Sequence, residues 1–376
     1  MNQSNTDQEM ICIGCGAVLQ SEDETKAGFL PASVLKKANA DEDIYCKRCF
    51  RLRHYNEVQD VELTDDDFLN MLHEISDKNA LIVNIVDIFD FNGSFISGIQ
   101  RFAGQNPVIL VGNKVDLLPK SLKEGKMRQW LIERAHEAGV HPKEVILTSA
   151  VRGESVKQLM DLIETERKGQ DVYVVGTTNV GKSTLINQII KLATDAENVI
   201  TTSYFPGTTL GKIEIPLDDD RVMVDTPGII QSSQIAHYLT PKELKLVTPR
   251  KEIKPKVYQL NEEQTLFLGG LARLDYLSGD GKQSFVCYLS NELTIHRTKL
   301  EKADVLYANQ RGQLLTPPFE ENLNNLPELK RYEFLIKEPS DIVFSGLGWI
   351  SIEEPGTKIA GWAPKGVDVL IRKSLI

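Results

Sequence analysis

The chain has few cysteines, no long apolar segment and no excess of basic charge, and each absence excludes a class of protein. Five cysteines in 376 residues are too few for the disulfide framework of a small secreted protein. The most apolar stretch, "ALIVNIVDIF", is shorter than the roughly 18–20 residues of a membrane-spanning helix and is better read as a buried strand. The net charge of −10 argues against a simple polyanion binder.

The N-terminal residues and the distribution of charge indicate the expected location and partners of the protein. The first ten residues, "MNQSNTDQEM", lack the basic start and apolar core of a secretory signal. We therefore expect a soluble, cytoplasmic protein, unless an organelle-targeting segment has been removed. Acidic charge is concentrated in residues 61–230, with 17 basic and 25 acidic side chains. The flanking regions carry local basic clusters suited to RNA or protein, and neither DNA nor a membrane is expected as a partner.

The sequence divides into three blocks. Residues 1–60 contain two cysteine pairs, residues 61–235 alternate between strand and helix patterns, and residues 236–376 are strand-rich with some helix. Alternating strands and helices predict a mostly parallel sheet covered by helices on both faces. The overall expectation is an α/β domain preceded by a small cysteine module and followed by an α+β interaction domain.

A phosphate-binding loop lies between the strand "DVYVVG" and the helix "KSTLINQIIKLA". Residues 176–183 fit the pattern G-x-x-x-x-G-K-[ST], in which backbone N–H groups surround a phosphate. Lys182 is expected to reach the β- and γ-phosphates, and Ser183 to bind Mg²⁺. The residues predicted to contact the nucleotide here are Gly176, Asn179, Val180, Gly181, Lys182, Ser183 and Thr184.

A second phosphate-side motif, Asp225-Thr-Pro-Gly228, follows the strand "RVMV". The Asp225 carboxylate is placed to hold Mg²⁺, commonly through water, and the Gly228 N–H to contact the γ-phosphate. In the preceding "FPGTTLGK", Thr209 is favoured over Thr208 as a residue that contacts Mg²⁺ only while the γ-phosphate is present. Either threonine could instead be a turn residue.

The base reader is predicted at Asn113-Lys-Val-Asp116, at the end of the strand "NPVILVG". The Asp116 carboxylate would accept from the two ring-edge N–H groups of guanine, and adenine has no matching pair. Lys114 would lie along the ring, and Ser149 with Ala150 would supply a backbone N–H to guanine O6. These residues favour GTP over ATP.

The cysteine pairs, Cys12-x-x-Cys15 and Cys46-x-x-Cys49, are separated by 30 residues. Four thiolates at this spacing can close a tetrahedral Zn²⁺ site, and a metal would then supply the folding energy of a module too small for a strong core. A redox Cys-x-x-Cys is the alternative.

The order of the motifs is rotated. In ordinary GTPases the phosphate loop comes first and the base reader follows, whereas here the base reader comes first. Rotation preserves a fold when the original termini lie close together. With the cysteine module in front and a glycine-rich C-terminal block, the whole chain resembles the YqeH family of circularly permuted P-loop GTPases.

The resemblance implies a GTPase that binds GTP/GDP, Mg²⁺ and Zn²⁺ and acts in assembly of the small ribosomal subunit, with rRNA or ribosomal protein as partner. The position after Asp-x-x-Gly is Ile229, which cannot orient water as glutamine does in Ras-like enzymes. Asn179 is similar to the asparagine that holds K⁺ in cation-dependent GTPases, although it could merely shape the loop. We expect slow hydrolysis that depends on Lys182, Asn179, Thr209 and Gly228 and is stimulated by K⁺ or the partner.

Two further expectations concern the partner. Lys47, Arg48, Arg51 and Arg53 surround the second cysteine pair, where basic and aromatic residues together suit RNA. A solvated basic turn is the plainer interpretation of the same residues. The alternative to a GTPase switch is an RNA- or protein-binding adaptor that the nucleotide stabilises, with negligible turnover.

Overall fold

The computed structural model describes residues 10–13, 17–36, 44–55, 62–63, 74–96, 98–195, 213–217, 219–229, 231 and 233–376. Two compact units are formed. The first consists of Met1–Ile88, Ser94–Val115 and Arg128–Ile230, and the second of Phe89–Gly93, Asp116–Met127 and Gln231–Ile376. The domain boundaries at 60 and 235 stay a prediction. Among the described residues, no helix is both long and apolar enough to cross a membrane.

The described elements up to residue 229 follow the predicted alternation. In chain order the helices are α1 Ala32–Leu35, α2 Lys47–Tyr55, α3 Phe91–Ser94, α4 Ile99–Ala103, α5 Glu124–Glu137, α6 Gly153–Arg167 and α7 Lys182–Asp195. The strands are β1 Glu62–Leu63, β2 Ala80–Asp87, β3 Val108–Asn113, β4 Glu144–Leu147, β5 Asp171–Gly176, β6 Ile213–Pro216, β7 Val222–Asp225 and β8 Gly228–Ile229.

The first unit is built on a six-stranded sheet with the order β4-β3-β2-β5-β7-β6. Neighbouring strands are parallel except for the β6–β7 hairpin. Strands β2 and β3 are buried along their whole length, because helices cover both faces. Helices α6 and α7 pack on one face of the sheet through residues such as Leu159 and Ile186. Helix α5 packs on the other face, where the absence of a side chain at Gly112 leaves room for Leu131. The predicted fold class is confirmed.

The rotated order is accommodated by one short link. Helix α6 ends at Arg167 and β5 begins at Asp171. The connection turns through two left-handed residues, Lys168 with φ 49° and Gly169 with φ 70°. It joins the half of the sheet that carries the base reader to the half that carries the phosphate loop. The spatial order of strands is therefore that of a doubly wound sheet, although the chain enters it at β2.

The second unit is a two-sheet structure. Its strands are β9 Lys256–Leu260, β10 Gln264–Leu268, β11 Ala272–Ser278, β12 Gln283–Leu289, β13 Ile295–Lys299, β14 Leu329–Leu335, β15 Ser340–Phe344, β16 Gly348–Ile352, β17 Lys358–Pro364 and β18 Val369–Lys373, and its helices are α8 Pro241–Val247 and α9 Leu300–Gln310. The antiparallel sheets have the orders β13-β10-β11-β17-β14 and β18-β15-β16-β12-β9, and their apolar side chains form a common core.

The turn around Gly279 and Gly281 carries the chain from one sheet to the other. The strands on its two sides, β11 and β12, have β-prone sequences, but they do not pair with each other. Strand β11 lies between β10 and the distant β17, and β12 lies between β9 and the distant β16. The short polar turn thus connects the two layers of a sandwich. In the block predicted as α+β, strands predominate over helices.

Candidate nucleotide site and cysteine cluster

The phosphate loop runs from the end of β5 at Gly176 to the first residue of α7, Lys182. A Cβ on Gly176 would lie 2.9 Å from the carbonyl oxygen of Ile85. Gly181 has φ +87°, and a Cβ there would lie 2.7 Å from Nδ2 of Asn113. Asn179 has φ 64°, a left-handed conformation that asparagine tolerates better than most residues. Glycine is therefore required at Gly176 by a close backbone oxygen, and at Gly181 by a close side chain and a left-handed φ.

A buried ion pair forms at the predicted magnesium side of the loop. The Nζ of Lys182 lies 2.5 Å from Oδ1 of Asp225, and the side chains are 1% and 0% exposed. Strand β5, which leads into the phosphate loop, and strand β7, which ends at Asp225, are parallel neighbours, with Val174 opposite Asp225. Their carboxyl ends therefore meet at one edge of the sheet. Ser183 is buried next to Lys182 on α7, and Thr184 is exposed. The geometry thus brings Lys182 and Asp225, two of the residues expected to act on phosphate and Mg²⁺, into contact.

The base reader is tied directly to the phosphate loop. Asn113 ends β3, and its Nδ2 donates to the carbonyl oxygen of Val180 at 2.8 Å. Lys114 has φ 66°, and its Nζ donates to the carbonyl oxygen of Asn179 at 2.5 Å. Asp116 follows in the short 3₁₀ helix Val115–Leu117. Base and phosphate elements thus hold each other in position, as one nucleotide requires.

Two buried oxygens at this edge of the sheet have no hydrogen-bond partner among the described residues, Oδ1 of Asn113 and Oγ1 of Thr177. Buried polar atoms are normally satisfied. A nucleotide supplies base and ribose donors for an amide oxygen and phosphate acceptors for a hydroxyl. The residues present therefore fit a guanine nucleotide, and Ser183 and Asp225 stay the residues predicted to hold Mg²⁺ beside its phosphates.

The second base element, Ser149 with Ala150, follows β4. The Ser149 N–H donates to Oγ of Ser155 at 3.1 Å, and Oγ of Ser155 contacts the Ser149 carbonyl at 3.2 Å. The N–H of Val115 donates to the carbonyl oxygen of Thr148 at 3.2 Å. This bond ties the segment after β4 to the residue that follows Lys114, as the guanine-site hypothesis requires.

Asp87 belongs to the site geometry although the sequence motifs did not point to it. It ends β2, and its Oδ2 accepts from Nζ of Lys114 at 2.7 Å. The lysine predicted to lie along the guanine ring is therefore held between a carboxylate and the Asn179 carbonyl. A signal was present, because Asp87 is an acidic residue at the end of an apolar strand that neighbours the strand of the base reader.

The second switch region follows β7. Gly228 and Ile229 form β8, which pairs with β1, and the Thr178 N–H donates to the Ile229 carbonyl oxygen at 2.8 Å. A Cβ on Gly228 would approach Thr178 at 3.1 Å. The Ile229 side chain is 7% exposed and apolar, so it has no group with which to orient water. Thr208 and the favoured switch residue Thr209 lie outside the described residues.

Three of the four predicted zinc ligands converge. The Sγ atoms of Cys12, Cys46 and Cys49 all lie within 4.8 Å of one another and are buried. Tetrahedral Zn²⁺–thiolate bonds place sulfurs about 3.8 Å apart, so the spacing suits this ion. The Cys46 N–H donates to Cys12 Sγ at 3.1 Å, the kind of outer hydrogen bond that orients metal ligands. The fourth predicted ligand, Cys15, lies outside the described residues.

One of the four candidate RNA contacts needs correction. Arg48 is 5% exposed, and its Nη2 donates to Oδ2 of Asp225 at 3.0 Å. A buried guanidinium paired with an internal carboxylate presents no surface to RNA. Lys47 is partly exposed and pairs with Glu24, and Arg51 is partly exposed on the same helix. Arg53 also lies in α2, with its side chain outside the described part of the structure.

Two family models match parts of the chain. A model described as "YqeH-like, C-terminal" matches residues 282–375, and one described as "50S ribosome-binding GTPase" matches residues 171–264. The second match begins at the strand before the phosphate loop. The base reader at 113–116 therefore precedes the matched segment, in agreement with the rotated order.

Known proteins resemble the chain over most of its length. It is 55% identical over 370 residues to YqeH of Bacillus subtilis (strain 168), a match that covers 98% of this chain and 100% of that protein. It is 32% identical over 404 residues to NO-associated protein 1, chloroplastic/mitochondrial, of Arabidopsis thaliana, covering 95% and 72%. The crystal structure of GNP-bound YlqF from T. maritima aligns with a TM-score of 0.30 and 22% identity, covering 44% of this chain and 58% of that chain.

Proposed function

Because the chain belongs to the YqeH family of GTPases, we propose that it hydrolyses GTP slowly and acts in the cytoplasm as a switch in assembly of the small ribosomal subunit. The observation that supports nucleotide chemistry is the convergence of Lys182, Asp225 and Asn113 at the carboxyl edge of one sheet. The assembly role is supported by the family resemblance. The description of the matching GTPase model names the large subunit, so both subunits belong in the test.

The proposed rate enhancement comes from K⁺ held near Asn179. Ile229 leaves the water-orienting position without a polar group, and a cation near the phosphates would stabilise the charge that develops during transfer. Asn179 has φ 64°, so the variant Asn179→Gly removes the side chain while the backbone conformation stays accessible. We expect this variant to lose the difference between K⁺ and Na⁺ and to keep its GDP affinity.

The proposed partner surface is the exposed side of α2. Phe50 is 45% exposed and lies beside Lys47 and Arg51, a combination that suits stacking and phosphate contacts in RNA. We expect the double variant Lys47→Glu, Arg51→Glu to bind the ribosomal partner more weakly. Its basal GTP turnover should match that of the unmodified protein.

The decisive experiment measures GTP turnover by the metal-loaded protein in K⁺ and in Na⁺, alone, with 30S subunits and with 50S subunits. Lys182→Ala serves as the inactive control. Stimulation by 30S subunits alone supports the proposal, and stimulation by 50S subunits alone moves the function to the large subunit. Tight GTP binding with negligible turnover under every condition would favour the alternative, a nucleotide-stabilised adaptor.

A further inference from the structure

The cysteine cluster places one arginine inside the protein. Arg48 lies between the ligand candidates Cys46 and Cys49, at the start of α2, and its side chain is 5% exposed. Its neighbour Lys47 faces outward to Glu24, and Phe50 is exposed. Among the basic side chains of α2 that the structure describes, Arg48 is buried, whereas Lys47 and Arg51 are partly exposed.

That cation shares a carboxylate with the lysine of the phosphate loop. Asp225 accepts from Lys182 through Oδ1 at 2.5 Å and from Arg48 through Oδ2 at 3.0 Å, and all three side chains are at most 5% exposed. The Asp225 carboxylate therefore has two cationic partners at the same time. Both carboxylate oxygens of Asp225, the residue predicted to hold Mg²⁺, thus accept hydrogen bonds from cationic side chains.

Lys182 and Arg48 differ in whether a bound nucleotide can replace Asp225 as their partner. Phosphates supply Lys182 with an alternative anionic partner, so nucleotide binding can release Oδ1 of Asp225. Arg48 belongs to the cysteine module, and its Oδ2 contact is removed only if the guanidinium moves. While that contact persists, the guanidinium opposes a divalent cation near the same carboxylate by charge repulsion and by occupying an acceptor.

We propose that Arg48 is a positioning residue of the nucleotide site, which holds Asp225 in competition with Mg²⁺. The inference rests on the nucleotide chemistry proposed above and not on the ribosomal partner. Because Cys46 and Cys49 flank Arg48, the cysteine cluster sets where the guanidinium lies. Metal binding by the cluster and Mg²⁺-dependent nucleotide binding are therefore linked, and linkage of this kind is reciprocal.

The test is the Mg²⁺ dependence of GDP affinity, measured with a fluorescent GDP analogue on the full-length, zinc-loaded protein. For Arg48→Gln we expect half-maximal stabilisation of GDP binding at about tenfold lower Mg²⁺, because a hydrogen bond between charged groups has been removed. Lys47→Gln removes the same charge from the adjacent residue and should leave the midpoint unchanged. Arg48→Lys keeps the cation and should stay close to the unmodified protein.

Arg48→Gln should fold, because Asp225 remains paired with Lys182. Zinc content and the melting temperature check this, and Arg48→Met is the second variant if the glutamine side chain is not accommodated. A folded Arg48 variant with an unchanged or higher Mg²⁺ midpoint overturns the inference. Failure of the unmodified protein to bind GDP would instead contradict the nucleotide function, so the two failures are distinguishable.

A separate measurement tests whether the cysteine cluster acts on the nucleotide site through Arg48. A zinc-selective chelator, added with Mg²⁺ in excess, should move the midpoint of the unmodified protein toward that of Arg48→Gln. The same treatment should leave Arg48→Gln unmoved, because its cation is already absent. Equal shifts in both proteins would show that the cluster acts on the site by some route other than Arg48.

Discussion

Asp87→Asn tests whether the carboxylate at the end of β2 prepares the base reader. The Oδ2 of Asp87 lies 2.7 Å from Nζ of Lys114, and the side chains are 13% and 22% exposed. Hydrogen bonds to charged groups contribute about 1.5–3 kcal/mol, more than exposed ion pairs do. Asparagine keeps an acceptor but loses the charge, so we expect the lower value, about 1.5 kcal/mol, or roughly tenfold weaker GDP binding.

The measurement is an equilibrium titration with fluorescent GDP, accompanied by urea unfolding. Asp171→Asn is the matched control, because Asp171 starts β5 at the opposite end of the sheet. In a Lys114→Ala background, Asp87→Asn should weaken GDP binding less than it does in the unmodified protein, since the contact between Asp87 and Lys114 is already absent. A folded Asp87→Asn protein that binds GDP within twofold of the unmodified protein would refute the positioning role.

Three other outcomes follow from the structure. Asp116→Asn should shift nucleotide preference from GTP toward XTP, because an amide donates to the oxygen that xanthine has in place of the guanine amino group. Competition binding measures this preference, and an unchanged preference would show that Asp116 does not read the base. Burial raises the pKa of Cys287 to about 12, so the native protein should resist alkylation of this thiol at pH 8 and lose that resistance in urea; rapid labelling of the folded protein would contradict its burial. Glu243→Ala should destabilise the second unit by about 3 kcal/mol in urea unfolding. The reason is that the carboxylate accepts from Phe319 N–H at 2.7 Å and from Asn322 Nδ2 at 2.6 Å, and also caps α8. A loss below about 0.5 kcal/mol, the size of an ordinary surface change, would contradict this role.

The sequence alone was sufficient for features whose residues are contiguous or regularly spaced. The phosphate loop occupies consecutive positions from Gly176 to Ser183, and the strand before it and the helix after it have their own hydrophobic periods. The rotated order can also be read directly, because it concerns only which motif comes first. The fold class of the first unit follows from these local patterns and was predicted correctly.

Tertiary structure decided which distant groups meet. The β-prone residues of β11 and β12 indicate strands, but strand pairing is long-range, and the two strands belong to different sheets. The basic pattern around Cys46 suggested a surface for RNA, whereas Arg48 is paired with Asp225, which lies 177 residues further along the chain. A charge pattern specifies that a cation is present. Which carboxylate neutralises it depends on where the fold places a buried acid, and that is settled only when the core forms.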